Sequence, residues 1–279
     1  MGDKDNNTSF FGHLLILRTH LLRMLLYVVI GATVAFVCDE VVYDYIIFAP
    51  RSENFITYRF FCYLSSLVNQ MGIEVDICWE PAQFVLQNRE ITGQFNSHVW
   101  VSIVAGIIVA TPLIVWEVWR FISPALTEGE RRSSRGVVAY VSGLFFMGVA
   151  FGYFIVVPLS LNFFAGYHVG GQMAVDNLIE LSSYISSVVN ISLSTGMMFQ
   201  MPIAVYVLSR MGLVTSSFLK KYRRHAIVVI LVISAILTPP DVASQVILAI
   251  PTYALYQVSI AIAQREERRR EEEEKNTTL

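Results

Sequence analysis

Charge is scarce in this chain. Only 15% of its 279 residues are Asp, Glu, Lys or Arg, and 20 basic against 22 acidic residues leave a formal net charge of -2. A nucleic-acid surface needs a basic excess to neutralise phosphates, so nucleic acid is excluded as a partner. Histidines stand scattered at 13, 20, 98, 168 and 225, none of them mid-span at i, i+4 from another candidate ligand. The three cysteines, Cys38, Cys62 and Cys78, fit no zinc or haem spacing. There is no nucleophile elbow and no phosphate loop. These absences argue against a zinc or haem site and against catalysis in the membrane.

Apolar length is what the chain has instead. Hydrophobic residues make up 54%, and the mean hydropathy is +0.54. Crossing about 30 Å of hydrocarbon takes about 20 apolar residues as a helix. Segments 21–37, 99–119, 137–161 and 184–208 meet or approach that length. Two more, 226–237 and 243–263, are separated by Thr238, Pro239, Pro240, Asp241 and Val242, a turn whose prolines stop the first of them. The expected fold is all-α: an integral membrane bundle of six transmembrane helices, with the fifth and sixth short. The fifth apolar run, at 12 residues, rises only about 18 Å. It either packs against protein or thins the bilayer around it.

A cytoplasmic segment 1–20 is expected to precede the membrane domain 21–263, whose outer loops are 39–98, 162–183 and 238–242. A charged tail, 264–279, follows and is expected to fray into disorder. The first apolar run lacks a small-residue cleavage site, so it is expected to stay in place. Seventeen of the twenty Lys and Arg residues fall in 1–23, 120–136, 209–225 and the tail. The positive-inside rule therefore puts both termini in the cytoplasm. The aromatic-rich loop 39–98 is expected to form short interfacial helices. A bridge between Cys62 and Cys78 suits an oxidising compartment on that side, and free thiols in a packed loop suit the sequence equally well.

Polar groups in or beside the spans are the candidate sites, because each is costly in lipid unless paired or wet. Gln200 precedes Pro202 by two residues. It can help satisfy the carbonyl that proline frees, or face a partner helix or cavity. Glu117 stands three residues before Arg120 and four before Phe121, so a local ion pair is expected. Past Pro124, Glu128 and Glu130 are two carboxylates in an otherwise basic loop. They are either solvated or accept guanidinium groups through charge-assisted hydrogen bonds.

Several motifs in order carry a resemblance. HLLILRTHLL at 13–22 resembles the HLxELRxRLL opening of the TatC family, the polytopic core of the twin-arginine protein translocase. PLIVWEVWRFISPALTEGERR at 112–132 resembles that family's P…Y-Q-x-W-x-F-x-x-P-x-L…E-R-R segment. FGYFIVVPLSLNFF, FQMPIAVY and LTPPDVASQVILAIPTYALYQ are similar to its later signatures. The resemblance implies a cupped six-span bundle in the inner membrane that recognises signal peptides bearing paired arginines. It implies single-span TatA- and TatB-type partners, assembly into a homo-oligomer surrounded by lipid, and export of folded proteins by the proton-motive force. Glu130 matches the loop glutamate that contacts the paired arginines, with Phe121, Pro124, Arg131 and Arg132 around it and Arg18 from the N-terminal motif. Pro50, Pro112, Tyr153 and Pro158 match positions of structural character, and Asp241 and Gln245 match the last turn and span. Two positions depart from the pattern. Ile16 stands where the family has a glutamate, and Gln200 where it commonly has an intramembrane glutamate; Glu128 is expected to supply part of the charge lost at Ile16. A small-molecule secondary transporter is the alternative reading, weakened by the lack of a repeat between the two halves.

Overall fold

The apolar runs form helices because lipid offers backbone N–H and C=O groups no partner, and a helix satisfies them within one segment. The computed structural model describes residues 7–70, 78, 81, 84–123, 136–167, 178–238 and 242–277. Five helical stretches in it are long and apolar enough to cross a membrane: Leu15–Val37, Gly93–Phe121, Val137–Gly166, Leu181–Ser209 and Ser244–Arg269. The chain divides into two units, Met1–Tyr43 with Glu90–Gly143, and Asp44–Arg89 with Leu144–Leu279.

The first unit is built on two long helices, α1 (Asn7–Val37) and α4 (Gly93–Ile122), which lie against each other along their length. Only 6% of the apolar window of α1 is buried, so lipid is the natural cover for its remaining faces. The two helices meet at glycines. A Cβ at Gly106 would stand 2.6 Å from the Ala32 nitrogen and 2.7 Å from the Val28 carbonyl oxygen, contacts that only a hydrogen permits. Pro112 lies inside α4, and the neighbouring Thr111 hydroxyl donates to the Ile107 carbonyl at 2.9 Å. Where α1 ends, the His98 ring stacks on Phe36 with centroids 4.0 Å apart. The short helix α2 (Asp39–Val42) follows.

The second unit begins with the loop between the first two spans. A π-turn at Tyr43–Ile47, a 3-10 turn at Ala49–Arg51 and helix α3 (Ile56–Gln70) supply the short helices expected there. Hydroxyls from the membrane helices hold this loop down. Tyr153 donates to the Ile46 carbonyl at 2.6 Å, Tyr184 to Ile47 at 2.8 Å, and Thr57 of the loop donates in turn to the Phe154 carbonyl. Tyr58 donates to the carbonyl of buried Pro50 at 3.2 Å, and burial pushes its hydroxyl up to about 12, so it remains a donor. Cys62 and Cys78 form a disulfide, leaving Cys38 free and exposed. Maleimide is therefore expected to label Cys38 alone before reduction and all three cysteines after it; labelling of Cys62 or Cys78 without reductant would show the bridge not to form.

Strand β1 (Val85–Gln87) pairs in parallel with β2 (Leu178–Glu180), Val85 opposite Leu178. This small pairing was not expected from an all-helical reading. Runs of three residues carry no usable periodicity, and the pairing is set by where the flanking helices deliver them.

The third span is helix α5 (Val137–Phe151), a π-turn at Gly152–Val156 and helix α6 (Val157–Gly166), with buried Pro158 at the start of α6. The fourth span is broken rather than continuous: α7 (Leu181–Met198) ends, and α8 (Met201–Arg210) begins with Pro202 in its first turn. Proline cannot donate back into the preceding turn, so the ladder restarts at Gln200.

Next come α9 (Ser216–Lys221), α10 (Arg223–Leu237) and α11 (Val242–Thr277). At 15 residues, α10 rises about 22 Å, well short of the hydrocarbon thickness. The sixth helix, by contrast, is not short: α11 runs 36 residues, through the tail expected to fray. Its Glu, Arg, Gln and Lys residues are good helix formers, and opposite charges recur there at i, i+4. Glu267 accepts from the Ser216 nitrogen at 2.6 Å and its hydroxyl at 2.5 Å, fastening this extension to α9. Tyr256 donates to the Leu219 carbonyl at 2.7 Å beside a core of Val205, Ile230 and Ile260.

Candidate functional site

In the first unit, one face of α1 carries Ile16, His20, Arg23 and Tyr27, spaced four, three and four residues apart, which is one stripe of a helix. On α4, Glu117 and Phe121 share a face. The two stripes meet. His20 Nδ1 donates to Glu117 Oε2 at 2.5 Å, Tyr27 donates to Oε1 at 3.3 Å, and an Arg23 guanidinium nitrogen stands 3.9 Å from Oε2. Glu117 is 2% exposed and His20 8%. This corrects the sequence-based expectation for Glu117. Its partner is not the local Arg120, which is exposed, but an imidazole on another helix. A buried carboxylate is best matched by a partner that is itself shielded, as His20 is and exposed Arg120 is not.

Phe121 packs its ring edge-on against His20, centroids 5.8 Å apart. Ile16 lies one helical turn before His20 on the same stripe, exposed, and Arg18, two residues further along, is exposed as well. This end of the unit therefore joins a buried carboxylate, an imidazole, a guanidinium and an aromatic ring on adjacent helix faces. Among the described residues no group of three or more His, Cys, Asp or Glu is arranged to hold a metal ion. Such an arrangement can bind and orient a polar ligand.

A family model described as "Sec-independent protein translocase protein (TatC)" matches residues 12–251. The chain belongs to the TatC family. A TatC protein of Blattabacterium sp. subsp. Periplaneta americana is 37% identical over 263 residues, covering 94% of this chain and 97% of the relative. One of Desulforapulum autotrophicum is 32% identical over 260 residues, covering 93% and 86%. A crystal structure of the twin-arginine translocase receptor TatC superposes with a TM-score of 0.66 at 31% identity, covering 91% of this chain and 99% of that one. TatC proteins are protein-translocase components, and with five apolar helices of spanning length this member is a multi-pass membrane protein.

Of the residues singled out from the sequence, Phe121 packs against His20 of the cluster, and Arg18 is exposed on α1 two residues before His20. Pro124, Glu128, Glu130, Arg131, Arg132 and Asp241 lie outside the described residues. Gln200 occupies the break between α7 and α8, where its carbonyl accepts from the nitrogens of Ile203 and Ala204, both at 3.1 Å. Gln245, which matches the start of the last span, donates to the Leu231 carbonyl at 3.0 Å and closes the α10–α11 hairpin. The cluster of His20, Arg23 and Tyr27 around Glu117 was missed. Its signal was a polar stripe running at helical spacing into an otherwise apolar span.

Proposed function

We propose that this chain is the receptor subunit of a twin-arginine translocase, binding signal peptides with paired arginines where its second span enters the cytoplasm. The observation that carries this reading is the family match across residues 12–251, supported by likeness to a solved TatC receptor over 91% of the chain. Glu130 accepts one guanidinium of the pair through short charge-assisted bonds, with Phe121 and Pro124 shaping the aromatic side and Arg18, Arg131 and Arg132 fixing register. Glu128 supplies the second carboxylate that Ile16 cannot. Single-span TatA- and TatB-type subunits meet the membrane helices near Gln200 and Asp241, and several copies of the chain assemble together. Folded cargo then leaves the cytoplasm at the expense of the proton-motive force, with no catalytic step and no cofactor in this subunit. The chain sits in the inner membrane with both termini cytoplasmic, as the Lys and Arg distribution favours. A Cys62–Cys78 bridge on the opposite side is consistent with that orientation.

Photocrosslinking of a twin-arginine signal peptide to the reconstituted chain tests the site. Glu130→Gln is expected to weaken binding about tenfold or more, since a hydrogen bond to a charged group is worth about 1.5–3 kcal/mol, and Glu128→Gln to weaken it less. Unchanged binding in Glu128→Gln removes the compensating role, and unchanged binding in both removes the site. Ion-coupled uptake of a small solute by this chain alone would favour the transporter reading instead.

A further inference from the structure

Between Glu180 and Asp241 the chain contains no Asp or Glu. Within that interval Lys220, Lys221, Arg223 and Arg224 crowd the junction of α9 and α10, all four exposed and none in a salt bridge among the described residues. Glu267, the carboxylate that reaches this junction, is spent on Ser216. Helix stability does not account for the arginines either: in the first turn of α10 they meet the positive end of the helix dipole.

What adjoins the cations is apolar. On α10 the buried residues are Ile230 and Ser234, while Val228, Val229, Val232 and Ile236 are more than half exposed. Lipid chains are the natural cover for such a surface, and they bring headgroups to the level of its first turn. The rings of Phe218 and Tyr222, 4.6 Å apart and both exposed, stand at that level, where aromatic side chains prefer to sit. A helix of 15 residues also needs headgroups drawn inward, since it rises only about 22 Å against about 30 Å of hydrocarbon.

We propose that Lys220, Lys221, Arg223 and Arg224 form a docking surface for the headgroups of anionic phospholipids, which seat the short helix α10 in the membrane. Charge complementarity commits the surface to acidic lipid, and the apolar face beneath it commits it to lipid rather than to a soluble phosphate.

The test uses the full chain in detergent, titrated with phosphatidylglycerol or with phosphatidylcholine of the same acyl chains, with bound lipid counted by native mass spectrometry. Phosphatidylglycerol is expected to bind at least about tenfold more tightly than phosphatidylcholine, and the preference to vanish in Lys220→Gln/Lys221→Gln/Arg223→Gln/Arg224→Gln. Arg265→Gln/Arg268→Gln, on the tail beside acidic residues, is expected to keep it. A preference that survives the fourfold change, or is lost equally in the tail variant, overturns the proposal. So does displacement of the lipid by inorganic phosphate. Should the fourfold variant fail to fold by circular dichroism, the two double variants carry the test. Each is expected to lose about fivefold, and no loss in either is equally decisive against it.

Discussion

Replacing Glu117 with alanine is expected to destabilise the protein by about 3 kcal/mol or more, measured as unfolding in detergent, because removal of one partner strands the rest of a buried pair. The carboxylate is the common acceptor for His20, Tyr27 and the nearby Arg23. Without it the His20 imidazole keeps its shielded position between α1 and α4 and loses its acceptor. Glu117→Gln should be milder, at about 1–2 kcal/mol, since an amide oxygen still accepts from Tyr27 but loses the charge. A double-mutant cycle with His20→Ala isolates the pair: coupling of about 1–3 kcal/mol is expected, and strict additivity would remove this pair as the tie between the helices. Phe121 rests on His20, so signal-peptide crosslinking at that ring should weaken along with stability.

Gly106→Leu is expected to part α1 from α4 altogether. The atoms that a side chain would strike are backbone, the Ala32 nitrogen and the Val28 carbonyl, so no rotamer change can make room. Even Gly106→Ala must push the helices apart, at a cost of about 1–3 kcal/mol of overpacking. Gly143 supplies the control, because nothing lies within 4 Å of a Cβ built there. Gly143→Ala should be neutral or stabilising by up to about 1 kcal/mol, through the better helix propensity of alanine. Thermal midpoints of the three variants in one detergent decide the matter. A Gly106→Leu protein that melts with the wild type would show that the seam is not set by this contact.

The spans were legible because lipid imposes a simple condition, about 20 apolar residues, and the chain meets it without ambiguity at Leu15–Val37, Gly93–Phe121 and Val137–Gly166. The shortness of the fifth helix was legible for the same reason. The break at Gln200 was half legible: Pro202 announces a defect, but whether a helix bends or stops there depends on its neighbours. The partner of Glu117 could not be read locally, because His20 lies 97 residues away and only the α1–α4 packing brings them together. Sequence spacing favoured Arg120, and burial reversed that choice. The acceptor of Gln245 was equally out of reach of a local reading, because the hairpin turn is what brings the Leu231 carbonyl to it. In the tail, polarity argued for disorder and helix propensity for order, and the link from Glu267 to Ser216 favoured order.

The pairing of Val85–Gln87 with Leu178–Glu180 also constrains the order in which the chain can be built. During synthesis the first of these strands is made before the second and third spans, and its partner only after both. The first strand must therefore wait, unpaired, until the third span has been threaded. Cys62 and Cys78, only 16 residues apart, can be joined long before that moment. Insertion thus proceeds from a local covalent clasp to a late, long-range closure, and a chain arrested before residue 178 would carry the first without the second.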